Sequence, residues 1–173
     1  MSRLKQFAAA LALAGASVGA SAQIVVPWGN HDPGELGGTL FIGTGSSFPF
    51  EVNYTFSLTT LSNLLAVGVT NDAPGVFDIN GAAARLYINN GNANFNDDVL
   101  VGGFTFDSTS IVATFSSVAS GNYFYKVTGN VDGPFGGSYL LSSNLTPVPE
   151  PETYALMLAG LGVVSMLLRR RKA

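Results

Sequence analysis

From residue 50 to residue 59 the chain alternates without exception: Phe50, Val52, Tyr54, Phe56 and Leu58 are apolar, Glu51, Asn53, Thr55, Ser57 and Thr59 polar. A period of two places successive side chains on opposite sides of extended backbone, so the stretch reads as a strand with one buried face. A sheet with one buried face needs a second layer to cover it. The same rhythm returns late in the chain, where Tyr123, Tyr125, Val127, Gly129 and Val131 alternate with Phe124, Lys126, Thr128 and Asn130. Further strands are expected at 39–42, 64–70, 85–88, 100–106, 111–115 and 138–145, separated by turn-forming segments at 71–75, 89–98, 120–122 and 132–137. No helix is expected between residues 23 and 147, because the Ala82-Ala83-Ala84 run is too short to nucleate one. The expected architecture is all-β: an antiparallel β-sandwich or jelly-roll-like domain over residues 23–146.

The two ends read differently. Residues 1–22 have the layout of a signal peptide: a basic start with Arg3 and Lys5, an apolar run over 7–14, and Ala20-Ser21-Ala22 as an A-x-A cleavage site before Gln23. At the other end Pro147-Val148-Pro149-Glu150-Pro151-Glu152-Thr153-Tyr154 precedes an apolar run over 155–168, followed by Arg169, Arg170, Arg171 and Lys172. Proline fixes φ and biases its predecessor away from helix, so residues 148–151 are expected to be extended. The apolar run covers about 21 Å as a helix at 1.5 Å per residue, against about 30 Å for a bilayer core. Tyr154 and the basic tail can snorkel to the two interfaces and close part of that gap. Four cations directly after the run argue for a transmembrane helix with its basic end inside, rather than a core helix.

The order of rigid motif, apolar span and basic stop resembles the PEP-CTERM sorting signal of Gram-negative bacteria that make exopolysaccharide. The resemblance implies a motif at 147–154, a transmembrane helix at 155–168 and a basic tail at 169–173. It implies that Val148, Pro149, Glu150, Pro151 and Glu152 are read by an exosortase, a membrane transpeptidase-like enzyme. The body would then be exported across the inner membrane, held there transiently by its C-terminal helix, and passed to the cell surface, biofilm or exopolysaccharide matrix. Phe50-Glu51-Val52-Asn53-Tyr54 and the stretch from Ala119 to Gly129 resemble the FxDxF family of PEP-CTERM proteins. This chain departs from that motif with Val52 in place of Asp and Tyr54 in place of Phe.

Without the two ends, the body between Gln23 and Val148 keeps two bases, Arg85 and Lys126, against nine acids, a net charge of −7. That balance, with no basic stripe, argues against nucleic acid as a partner. The chain has no cysteine, which excludes disulfides, thiolate catalysis and thiolate metal sites.

Few residues invite chemistry. Gly15-Ala16-Ser17-Val18-Gly19 has the G-x-S-x-G spacing but lies in the predicted signal peptide, without a strand–turn–helix context. His31, the only histidine, sits in a predicted loop over 28–34 with no paired serine motif, and reads as a capping residue. Residues 89–98 offer oxygens from Asn90, Asn92, Asn94 and Asn96 with the carboxylates of Asp97 and Asp98. Calcium accepts such a set, but an Asn-rich hairpin loop has the same composition. Glu51, Asp78, Asp97 and Asp107 are conceivable glycosidase acids, although no motif pairs them. Trp28 and Tyr87, with Tyr139 and Phe135, lie near turns and would suit stacking on sugar faces; edge aromatics covering the sandwich ends are the plainer reading. The expectation is a non-enzymatic, cofactor-free matrix protein. Its rivals are a secreted carbohydrate-binding module with extracellular polysaccharide as partner and, further off, a secreted hydrolase.

Overall fold

The computed structural model describes residues 11–14, 23–43, 45–149 and 151–170. The expected cleavage-site residues Ala20 and Ala22, the motif residue Glu150 and the tail residues Arg171 and Lys172 lie outside the described residues. Ten strands and one helix follow in order: β1 Leu11–Ala14, β2 Ile24–Asn30, β3 Gly34–Ile42, β4 Phe48–Leu58, β5 Ser62–Asn71, β6 Ile79–Ile88, β7 Val99–Thr105, β8 Ile111–Val118, β9 Gly121–Val131, β10 Gly136–Pro147 and α1 Pro151–Arg170.

The strands form two five-stranded sheets, sheet A ordered β1-β3-β10-β5-β8 and sheet B ordered β2-β4-β9-β6-β7. Strands β3 to β10 pair antiparallel within their sheets, while β1 and β2 join β3 and β4 in parallel. Consecutive strands from β3 to β6 alternate between the sheets, and the order 3-10-5-8 against 4-9-6-7 is that of a jelly roll.

Alternation is what holds the layers together. Phe50, Val52, Tyr54, Phe56 and Leu58 of β4 are buried beside Tyr123, Tyr125 and Val127 of β9, and they meet Phe41, Leu64, Tyr139 and Leu141 of sheet A. Aromatic rings bridge the sheets: Phe41 and Phe50 are 4.4 Å apart, and Phe50 stacks on Tyr139 at 5.5 Å. The Tyr54 and Tyr139 hydroxyls bond at 2.8 Å in the middle. Burial raises both phenols above the ordinary tyrosine value. Gly68 on β5 makes room for the Phe106 ring, whose Cγ would lie 2.6 Å from a β-carbon there.

The structure corrects several sequence expectations. The region 28–34 is largely strand, since β2 runs to Asn30 and β3 starts at Gly34. β2 pairs in parallel along β4 despite Pro27, because edge position and a register shift at Pro27/Gly29 accommodate the missing donor. The strand read as 85–88 begins at Ile79, since Ala82, Ala83 and Ala84 are small residues buried in sheet B. Apart from these corrections, residues 11–14 of the expected signal peptide lie as β1 along the otherwise open edge of β3. An unpaired edge is a template for any extended apolar segment within reach.

The helix also differs from expectation. α1 begins at Pro151, so the motif expected to be extended is divided, with Val148 and Pro149 outside regular structure and Pro151 opening the first turn. Proline suits that position, where its missing N–H has no intrahelical partner. From Tyr154 to Met166 every described side chain of α1 is exposed. Among the described residues no helix is long and apolar enough to cross a membrane, which follows from a polar first turn before an apolar run of about 21 Å.

Candidate functional site

The outward face of sheet B carries the most built polar site. In register across β4, β9 and β6, Asn53 pairs with Lys126 and Lys126 with Arg85, while Thr55 pairs with Phe124 and Phe124 with Tyr87. The segment 89–98 folds back over this face. Its Phe95 packs edge-on against Phe124 at 4.8 Å, and Phe124 stacks on Tyr87 at 5.1 Å. The outward side chains Asn53, Phe124 and Lys126 are therefore buried, although their strand positions face away from the main core.

Lys126 fastens the cover. Its ammonium donates to the Phe95 carbonyl at 2.6 Å and to Asn96 Oδ1 at 2.9 Å, and lies 3.5 Å from Glu51 Oε1. All three ammonium protons thus have acceptors. Glu51 Oε1 also accepts from Gln23 Nε2 at 2.8 Å and Asn53 Nδ2 at 3.0 Å. Burial pushes the Glu51 carboxyl up, but the bonds from Asn53 and Gln23 and the Lys126 charge outweigh it and hold it below its ordinary value. Asn53 Oδ1 is left buried with no hydrogen-bond partner.

The Asn-rich segment is a chain of Asx turns. Asn89, Asn90, Asn92 and Asn94 each accept, through Oδ1, from the backbone N–H two residues on. Asp97 accepts from the Asn92 and Asn90 amides, which hold its carboxyl below the ordinary range. Asp98 Oδ1 accepts from the Asn90 N–H at 2.8 Å. The oxygens that the sequence offers as calcium ligands are thus largely engaged by the loop itself. Among the described residues no group of three or more His, Asp or Glu gathers to hold a metal.

Trp28 and Tyr87 are not brought together. Trp28 turns inward against Tyr54 at 4.9 Å and Phe56 at 6.0 Å, while Tyr87 lies on the outward face beneath Lys126 Nζ at 5.5 Å. Tyr139, grouped by sequence with the turn aromatics, is a core residue because it occupies an inward position of β10. Phe135 is exposed. No two of the four acids named from the sequence share a partner: Glu51 is tied to Lys126, Asp97 accepts from Asn90 and Asn92, and Asp107 caps the Thr109 N–H, while Asp78 shares Asn80 Nδ2 with a different carboxylate, that of Asp132.

A polar chain with little trace in the sequence runs through the core. His31 Nδ1 meets the Asp32 carbonyl at 2.5 Å, Nε2 meets Ser143 Oγ at 2.8 Å, and Ser143 Oγ lies 3.2 Å from the Tyr125 hydroxyl. A carbonyl only accepts, so Nδ1 carries the proton and Nε2 accepts from Ser143, which accepts from Tyr125. Ser143 is fully buried, so this serine–histidine contact is sealed from any substrate.

An open groove of about 400 Å³ lies beside the covered face, lined by Pro27, Gly29, Asn30, Thr55, Phe56, Ser57, Asn89 and Asn122. None of these lining residues is charged.

Residues 147–172 match the model of the PEP-CTERM protein-sorting motif. No curated protein is detectably similar to the chain. Among solved structures the chain is similar to one described as the crystal structure of Aeromonas hydrophila PliG, a periplasmic lysozyme inhibitor of g-type lysozyme. The identity is 12% and the TM-score 0.40, over 72% of this chain and 100% of that chain. The chain thus carries the PEP-CTERM protein-sorting motif, with its β-sandwich body on the N-terminal side of it.

Proposed function

We propose that this is an exported surface or matrix protein, tethered for a time at the inner membrane by α1 and released through cleavage by an exosortase near Pro149, Glu150 and Pro151. The observation that carries the reading is the sorting motif at residues 147–172 on a helix whose leucines, valines and methionines from Leu156 to Met166 are all exposed. Such a helix is unstable in water and needs an apolar surrounding. A short span serves for transient anchoring, with Tyr154 at one interface and Arg169 and Arg170 at the other. The body acts without chemistry of its own, as a stable, acidic, thiol-free module in the extracellular polymer. Its likeness to the FxDxF proteins belongs to this proposal.

The test is the full chain with an epitope in the body, expressed in a host with and without an exosortase. The expected result is a shortened, released body only when the enzyme is present, with Pro149→Ala/Glu150→Ala/Pro151→Ala leaving the chain full-length in the membrane. Release of the triple variant at the wild-type rate would overturn the proposal.

A second reading, a carbohydrate-binding module, is favoured by the uncharged groove. Thr55, Asn30, Asn89 and Asn122 present hydroxyl and amide groups there, a chemistry suited to neutral sugars. Binding to a glycan array that disappears with Asn122→Ala would support it.

A further inference from the structure

We infer that Asn90 is a self-modification site: the Gly91 nitrogen attacks the Asn90 side-chain amide, and the carboxylate left after ring opening unfastens residues 89–98 from sheet B. The site belongs to the cover alone and is independent of how the chain is sorted.

The reaction needs only water. The Gly91 nitrogen bonds to Asn90 Cγ and gives its proton to water. The Cγ–Nδ2 bond then breaks, and ammonia leaves with a proton taken from water. The product is a cyclic imide. Water adds to either of its carbonyls, so residue 90 ends as aspartate or as isoaspartate, in which the main chain runs through the side-chain carbonyl. One water is consumed and one ammonia released, with no change of oxidation state.

The chain has two Asn-Gly dipeptides, at 80–81 and 90–91, and the structure separates them. Asn90 is exposed in the loop after β6, outside any strand. Gly91 has φ +85°, and a β-carbon on it would meet nothing within 4 Å, so its nitrogen is open to approach and to water. Asn90 Oδ1 accepts from the Asn92 N–H at 2.9 Å. That donor draws electron density from Cγ and stabilises the negative oxygen formed on attack. The Gly91 N–H donates to Asn89 Oδ1 at 2.8 Å, which polarises the attacking nitrogen. Asn90 Nδ2 donates to Asp97 Oδ1 at 3.0 Å, so the side chain is held in one orientation.

Asn80 differs at each of these points. It is paired with Asn130 in the β6–β9 ladder. Its Nδ2 is pinned between Asp132 and Asp78, while no donor meets its Oδ1 among the described residues. Asn92 and Asn94 have the same turn as Asn90, with Oδ1 accepting from the N–H two residues on. Ala93 and Phe95 follow them, however, and a β-carbon crowds the nitrogen that would attack.

The consequence is electrostatic. Conversion takes the Nδ2 donor away from Asp97 and leaves a carboxylate in its place. Asp98 is also close, since its Oδ1 accepts from the Asn90 N–H at 2.8 Å. Like charges at that range repel. The same segment lays Phe95 against Phe124 and gives Lys126 two of its acceptors. Its release brings the Phe124 ring and the Lys126 ammonium out to solvent on an otherwise acidic body.

The test follows the full chain in detergent and mildly alkaline buffer by tryptic mass spectrometry. No Lys or Arg lies between Arg85 and Lys126, so one peptide reports Asn90, Asn92 and Asn94, and the peptide ending at Arg85 reports Asn80. In the folded chain Asn90 should turn acidic about tenfold or more faster than the other three. Part of the product should be labelled by an isoaspartyl methyltransferase, and each conversion should take up one oxygen from isotopically labelled water. In urea the two Asn-Gly sites should convert at like rates. Asn90→Asp should speed hydrogen exchange at Phe95 and Asn96 relative to the wild type. The inference is overturned if folded Asn90 stays an amide while the urea-unfolded chain converts, or if folded Asn80 keeps pace with Asn90. Wild-type protection at Phe95 in Asn90→Asp would overturn the release of the cover.

Discussion

Gly37 on β3 lies directly beneath the ring of Tyr54 on β4, so closely that a β-carbon on Gly37 would stand 2.7 Å from Tyr54 Cζ. The ring cannot swing aside, because its hydroxyl is held by Tyr139 at 2.8 Å in the centre of the sandwich. Gly37→Ala therefore either forces the sheets apart or breaks a buried hydrogen bond. Overpacking costs about 1–3 kcal/mol and an orphaned buried hydroxyl about 1–3. The expected loss is about 2–4 kcal/mol, read as a lower midpoint in urea with an unchanged slope. A midpoint equal to the wild type would show that the layers have slack at this contact.

The Glu51–Lys126 pair clamps residues 89–98 over the outward face of sheet B, and breaking it should loosen that segment before the sandwich. Lys126→Met leaves Glu51 without its cation and the Phe95 carbonyl without its donor. One-sided removal of a buried pair costs about 3–5 kcal/mol; Glu51 is 27% exposed, so about 2–3 kcal/mol is expected here. Hydrogen exchange should show faster exchange at Phe95 and Asn96 in the variant, with β4 and β9 still protected. Uniform acceleration across the body would contradict a local clamp.

These two contacts show what the sequence discloses. The alternation over 50–58 announces a half-buried strand, and Tyr54 falls on its inward side as expected. That Gly37 is its counterpart is not readable, since register between strands separated in sequence depends on packing that no local pattern encodes. Lys126 occupies a polar place in the alternation of β9, and alternation treats polar places as solvated. The cover formed by residues 89–98 overrides that rule, and Phe95, an aromatic residue amid asparagines, is its local trace. His31 stays in the short link between β2 and β3, as its turn-rich surroundings indicate, whereas Trp28 to Asn30 read as loop because Pro27 and Gly29 disguise an edge strand. The C-terminal motif is legible at once, because the order of its parts depends on no tertiary contact.

Burial holds the His31 imidazole below its ordinary value of 6.5, despite opposing help from the Asp32 carbonyl and charge. The folded protein thus binds fewer protons at this site than the unfolded chain, and stability rises with pH across the window. The contribution is complete above about pH 6.5 and is lost as pH falls through the depressed folded value. Thermal melts between pH 8 and pH 5 should show this decline, and His31→Gln should flatten it. A wild-type slope that persists in His31→Gln would assign the decline to other groups.

The apolar run of α1 is shorter than a bilayer core, so the helix has little insertion energy to spare. Leu158, Leu161 and Val163 are each at least 60% exposed, so a polar replacement there disturbs no packing in the sandwich. An arginine at the centre of a spanning helix costs about 2.5–3.5 kcal/mol on insertion scales. For a marginal span, that shifts the balance between inserted and free chain by about a hundredfold. Val163→Arg should therefore leave the membrane fraction with its α1 uncut, while circular dichroism and the melt of the β body stay at wild-type values. Carbonate extraction followed by mass spectrometry of the released chain reads both at once. If Val163→Arg stays in the membrane and is cut at the wild-type rate, α1 is held there by something other than its own hydrophobicity.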